Sequence, residues 1–155
     1  MKINKTLILG LIIFIAIIFR FLNSSLVPPQ PSVDEVSIGY NAFSILKSGA
    51  DEYGTKLPVL LRAYDDWRPA LYVYLVVPFV SLFGLSTFAI RFPSAVLSIL
   101  TVIAVYFFTK YLTKGSKSIK VWNLTFDIPL IATLLFAISP WHIYLSRLGH
   151  EVNAS

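Results

Sequence analysis

The sequence predicts an all-α integral membrane protein of about three transmembrane helices with external juxtamembrane amphipathic helices. Three observations predict it. Of 155 residues 56% are apolar and 14% charged, and the mean hydropathy is +0.73, values that a soluble domain of this length rarely reaches. The apolar residues come in long runs. The lysines and the acids fall in different segments between those runs. There is no cysteine, which excludes disulfide and thiolate chemistry. The formal charge of +5 does not point to nucleic acid, because Lys110, Lys114, Lys117 and Lys120 cluster between apolar runs as in cytoplasmic loops.

Residues 1–23 form the first predicted span: a short basic lead, then an apolar run from Leu7 to Phe19. Arg20 and Phe21 stand where a processing site would need small residues, so this span is expected to stay uncleaved. Residues 24–91 are predicted as an external loop with its own helices. Its SLVPPQP start is extended. Ser32-x-x-Glu35 reads as a capping box, Val36, Tyr40 and Phe43 recur at helical spacing, and Gly49 closes the run, giving an amphipathic helix over about 32–48. Asp51 to Pro58 is rich in turn residues, and Asp51 and Glu52 are expected there as solvated charges. Pro69 could open a second interfacial helix over about 70–84. That helix would reach only ~21 Å, against a hydrocarbon core of ~30 Å. Residues 92–112 form the second span, 113–127 a basic cytoplasmic loop and 128–145 the third span, with Pro140 kinking its far end; 146–155 is the external end.

Charge placement decides the topology. If residues 70–90 crossed the membrane, the lysine loop would lie opposite Lys2 and Lys5, against the positive-inside bias. With those residues in the interface, both basic segments are cytoplasmic. Asp34, Glu35, Asp51, Glu52, Asp65, Asp66 and Glu151 then all fall outside, and Asp127 alone inside. The expected location is a multi-pass place in the plasma membrane.

The acids have ordinary uses to be set against chemical ones. Glu35 completes the capping box, which does not need Asp34, so Asp34 is the freer candidate for a base or metal ligand. Asp65 and Asp66 in 64-YDDWRPALY-72 read as a solvated turn with Arg68 as counter-ion, or as part of a site walled by Tyr64, Trp67 and Tyr72; both readings stay open. In 139-SPWHIYLSRLGHE-151, Arg147 could snorkel to headgroups or hold a substrate phosphate. A His150/Glu151 metal pair is weakened because neighbours point apart on a helix. No glycine-rich phosphate loop, zinc spacing or nucleophile elbow is present in the sequence.

The order of these pieces resembles a known family: an external DE on a short helix, "GYNAFSILKSG", G-x-x-LP, acid-x-x-Pro-x-Leu-Tyr, "FGLSTFAIRFPSAV", a basic loop, then "ISPWHIYLSR". It is similar to the amino-terminal part of GT-C glycosyltransferases, closest to the protein O-mannosyltransferase and lipid A aminoarabinose transferase branch, from about Val33 to Glu151. The resemblance implies a polyprenyl-phosphate-linked sugar donor drawn from the membrane lipid phase and an acceptor hydroxyl on a protein, lipid or glycan. It implies Asp34 as the catalytic or metal-associated acid, with Glu35 beside it as a further catalytic residue and Asp66 as a second catalytic acid of the site. Asp65, Trp67, Arg68, Tyr72, Arg147 and Glu151 are expected to bind substrate. A divalent cation (Mg or Mn) on Asp34, Asp66 and Glu151 is the alternative to Arg147 for taking up phosphate charge. Trp67 and Arg68 separate Asp66 from Pro69, a departure that leaves the choice between Asp65 and Asp66 open. Family members carry more spans, so the chain is expected to be a fragment without turnover by itself. The rival readings are a non-catalytic membrane protein whose acidic loop binds a partner and, less well matched, a transporter segment.

Overall fold

The computed structural model describes residues 5–64, 66–113, 118–121 and 124–150, with side chains up to residue 113 and from residue 127. Six helices and two antiparallel hairpins lie among them. The helices are α1 (Lys5–Phe21), α2 (Val33–Ser48), α3 (Leu71–Phe83), α4 (Thr87–Leu112), α5 (Ile128–Ala137) and α6 (Pro140–Ser146). The strands are β1 (Leu60–Ala63) with β2 (Asp66–Pro69), and β3 (Ser118–Val121) with β4 (Leu124–Asp127). The protein is thus mostly helical but not all-α. Pro69 ends a strand rather than opening α3.

Among the described residues one helix, α4, is long and apolar enough to cross a membrane alone; α5 and α6 together pass as a pair bent by 56° at the break before Pro140. α4 starts at Thr87, not at Phe92. Ser86 caps it, its hydroxyl accepting from Ala89 N at 3.2 Å and its carbonyl from Ile90 N at 3.1 Å. Arg91 lies inside the helix because its charge is neutralised there. A cation that marks a boundary in sequence does not mark one in the fold.

The described chain divides into two compact units. The first comprises residues 1–22 and 98–145. Ile12 and Ala16 of α1, Val102 of α4, and Leu130 and Ala137 of α5 form its core. At one end Lys5 pairs with Asp127 and shares a cavity with Lys110; at the other, Arg20 meets Ser98 and the Ala137 carbonyl. α1 and α5 therefore run in the same direction and α4 against them. Arg20 is fully buried. Its guanidinium donates to Ser98 Oγ, to the carbonyls of Ala16 and Ala137 at 3.1 Å each, and to His142 Nδ1 at 2.7 Å. Arginine has only donors, so His142 Nδ1 is the acceptor and its ring proton sits on Nε2.

The second unit comprises residues 23–97 and 146–155. Its core joins Ile38, Ala42 and Ile45 of α2, Leu61 of β1, Val73, Val76 and Val80 of α3, and Ala89 and Ile90 of α4. The buried stripe of α2 includes Glu35, Ile38, Ala42 and Ile45, while Val36, Tyr40 and Phe43, the stripe expected from spacing, face outward. Gly39 permits the packing: a Cβ there would stand 2.5 Å from Ile90 Cδ1. Asp51, expected as a solvated charge, is buried. Its Oδ1 accepts from Tyr53 N at 3.0 Å and Thr55 N at 2.7 Å, which builds the turn. Glu52 is tied to α2, accepting from Asn41 Nδ2 at 3.0 Å and donating its own N–H to Asn41 Oδ1 at 3.1 Å.

Candidate functional site

The site belongs to the second unit and is built around the first turn of α2. Ser32 has extended backbone and caps the helix; its hydroxyl accepts from Glu35 N at 3.2 Å, and Glu35 Oε2 accepts from Ser32 N at 2.9 Å. The capping box turns Glu35 back toward the protein and leaves Asp34, one residue earlier, facing out. The positive end of the helix dipole favours negative charge at both positions.

Glu35 has its whole acceptor capacity engaged inside. Arg91 Nε donates to Oε1 at 2.7 Å and Nη2 to Oε2 at 3.0 Å, and Gly149 N donates to Oε1 at 2.8 Å. Both side chains of this ion pair are 1% exposed. Burial by itself would raise the Glu35 carboxyl, but the hydrogen bonds from Arg91, Gly149 and Ser32 outweigh it and hold it below the usual carboxylate range. The three remaining N–H groups of Arg91 go to the carbonyls of Ser24 (2.8 Å), Pro28 (2.9 Å) and Gln30 (3.3 Å). Five donors meet five acceptors, and the proline-rich entry segment, which cannot form a helix, is held by one side chain. Glu35, counted above as catalytic, is therefore an organising residue, because no lone pair faces a substrate. Gly149 fits closely against α4: a Cβ there would meet Ile90 Cγ2 at 2.6 Å.

Asp34 is the acid left open, with its side chain 41% exposed. Arg68 Nη2 of β2 donates to Oδ1 at 2.8 Å, and His150 Nε2 stands 3.6 Å from Oδ2. Arg68 thus counters Asp34 rather than Asp66. Its side chain is 10% exposed, and among the described residues its Nε and Nη1 have no hydrogen-bond partner. Buried donors of a charged group left in this state would be satisfied by a further anion.

Asp66 lies two residues before Arg68 on β2, so both point to the same strand face, roughly 7 Å apart along the strand. Its Oδ1 accepts from Trp67 N at 2.8 Å. Tyr64 holds φ 57 in the two-residue connection of the hairpin, an uncommon conformation for a residue with a side chain. Trp67 is 63% exposed but lies on the opposite strand face from Arg68, and Tyr64 faces out at the turn, so the expected aromatic wall does not line the Asp34–Arg68 pair. Nor does Tyr72. It is 1% exposed, with its hydroxyl donating to the Ile90 carbonyl at 2.9 Å, and it belongs to the core. Arg147 is half-buried in the segment that brings Gly149 and His150 to α2. Asp65 and Glu151 lie outside the described residues.

Among the described residues no group of three or more His, Asp or Glu could hold a metal ion. Asp34 with His150 offers one carboxylate and one imidazole, and Arg68 already occupies one oxygen. These two donors do not by themselves make a cation cage.

Sequence reasoning missed Arg91 and the use of Arg68. The signal for Arg91 was a lone arginine within an apolar helical run, matched by Glu35 on the Ile38–Ala42–Ile45 face of α2.

The fold and site define a mostly helical protein, with one helix of membrane-crossing length among the described residues and an acid–arginine–histidine cluster at a helix start. Comparison with family models, curated proteins and solved structures finds no match to the chain.

Proposed function

We propose that the chain carries the external-loop module of an integral-membrane glycosyltransferase that moves a sugar from a polyprenyl-phosphate donor to an acceptor hydroxyl. The observation that carries the reading is Asp34: a half-exposed carboxylate at a helix N-terminus, held by a buried arginine whose Nε and Nη1 have no hydrogen-bond partner among the described residues. In the proposed reaction the acceptor oxygen attacks the anomeric carbon and Asp34 takes the hydroxyl proton. The anomeric carbon–phosphate oxygen bond breaks with its electron pair going to the polyprenyl phosphate. Arg68, whose planar fork matches phosphate oxygens, stabilises that departing charge. Asp66, on the same strand face as Arg68, is the second acid.

The finer membrane arrangement belongs to the same proposal: α1, α4 and bent α5–α6 as three spans, with residues 24–91 and the chain end beyond 145 on the external face. Its support is internal to the first unit. Arg20, at the end of α1, hydrogen bonds Ser98, where α4 enters that unit, so the intervening segment leaves and returns at the same end. The outward Val36, Tyr40 and Phe43 stripe of α2 also suits an interfacial helix.

The test is transfer of labelled sugar from polyprenyl-phosphate donors in membranes of cells carrying the gene. Asp34→Asn is expected to lower transfer by roughly 10²–10⁴-fold, the span associated with a lost general base. Unchanged transfer would leave the acidic loop as a partner-binding surface and overturn the catalytic reading.

A further inference from the structure

The first unit holds a cavity of about 720 Å³ that the sugar-transfer reading does not use. Its walls include Tyr106, Phe107, Lys110 and Tyr111 of α4, Lys5 of α1, and Asp127, the residue that precedes α5. The volume falls in the range of small-molecule sites, roughly 300–1,000 Å³. Asp127 is the N-cap of α5 yet makes no side-chain cap hydrogen bond, because its carboxylate is turned to Lys5. That pairing cancels the one negative charge among the described residues of the wall and fixes Lys5, which keeps two further ammonium hydrogens. Lys110 stands with Nζ 5.7 Å from the Tyr106 ring centroid. The cavity is therefore cationic on balance, with tyrosines beside its lysines.

The outer face of α4 next to it is apolar and exposed through Phe107, Phe108 and Leu112. This is where the run of the membrane-length helix reaches its first lysine. A soluble phosphate metabolite would leave that hydrocarbon surface unused. An amphiphile would use both parts.

We propose that this cavity seats the phosphate headgroup of an anionic phospholipid, bound by Lys110 and Lys5, with the acyl chains lying along Phe107, Phe108 and Leu112. Aromatic residues beside lysines at the end of an apolar helix are the chemistry that a headgroup layer recognises. The inference rests on α4 lying in a bilayer and not on sugar transfer, so the two can fail separately.

The experiment is native mass spectrometry of the full chain in neutral detergent, with a palmitoyl-oleoyl phosphatidylglycerol or the matched phosphatidylcholine added at equal concentration. Retention of the glycerol lipid should exceed that of the choline lipid. Lys110→Gln and Lys5→Gln should each lower it roughly five-fold, the size of one lysine–headgroup contact. Lys110→Arg should restore it, and Lys56→Gln, in the other unit, should leave it unchanged. Equal retention of the two lipids, or an equal loss with Lys56→Gln, would overturn the proposal. So would displacement of the glycerol lipid by inorganic phosphate at the same concentration. Should Lys110→Gln misfold, the proposal stands or falls on Lys5→Gln and on the comparison of lipids.

Discussion

Arg91 has five N–H groups, and the fold supplies five acceptors for them, two on Glu35 and three on the carbonyls of Ser24, Pro28 and Gln30. Such a pair is costly to break from one side, because the remaining charge stays buried. Arg91→Met is expected to destabilise the second unit by roughly 3–5 kcal/mol, while the double variant Glu35→Gln/Arg91→Met recovers part of that loss. Thermal or denaturant unfolding in detergent reads both. The same pair sets a pH dependence. The carboxyl of Glu35 is lower in the folded state than its ordinary value of 4.5, so its stabilisation is complete above that value. It is lost as pH falls through the lower folded value. Stability should therefore drop on acidification below the usual carboxylate range, and Glu35→Gln should flatten the drop; an unchanged slope in that variant would contradict the assignment. Asp34 is the opposite case, open at a helix start. On the proposed reaction Asp34→Asn should lower transfer, and because it removes the charge that offsets the buried Arg68 while keeping an acceptor oxygen, it should also cost about 1–3 kcal/mol of stability.

Among the elements, α2 carries the most testable packing. Gly39→Ala places a Cβ 2.5 Å from Ile90 Cδ1, and overpacking of that kind costs about 1–3 kcal/mol. Ile90→Val, which removes that methyl, should recover much of it, and a double-mutant cycle by unfolding measures the coupling. Gly49 ends α2 in the left-handed region at φ 70, so Gly49→Ala should destabilise by about 1 kcal/mol even though the site is sterically open. The ends of this helix were legible in the sequence, since a capping box and a closing glycine are local chemistry. Its buried face was not. Both faces of α2 carry apolar residues, and periodicity alone cannot say which one the rest of the chain covers. The β1–β2 hairpin was hidden for another reason: Tyr64 occupies a position where Asn or Gly would announce the turn, and the run of two acids, Trp67, Arg68 and Pro69 does not look like a strand. Asp34 could be singled out because the capping box leaves it unused. The Asp34–Arg68 contact spans 34 residues, a separation at which local spacing carries no information.

At the scale of the whole chain, the proposed membrane reading turns on which side of the bilayer each loop would lie, because that decides what the acids could do. α1 ends beside Arg20, α4 enters the first unit at Ser98, and those residues are hydrogen bonded. On the proposed topology residues 24–91 then lie on one side of the bilayer, and Lys5 with Lys110 on the other. The chain has no cysteine, so single-cysteine variants report without background. The most direct measurement is labelling of the Asp66→Cys and Thr113→Cys variants in intact cells with a membrane-impermeant maleimide. The proposed topology predicts that the thiol introduced at position 66 reacts from outside. The thiol introduced at position 113 should react only after permeabilisation. Reaction of both from the same side would contradict the topology, and with it the placing of the acids over a lipid-borne donor.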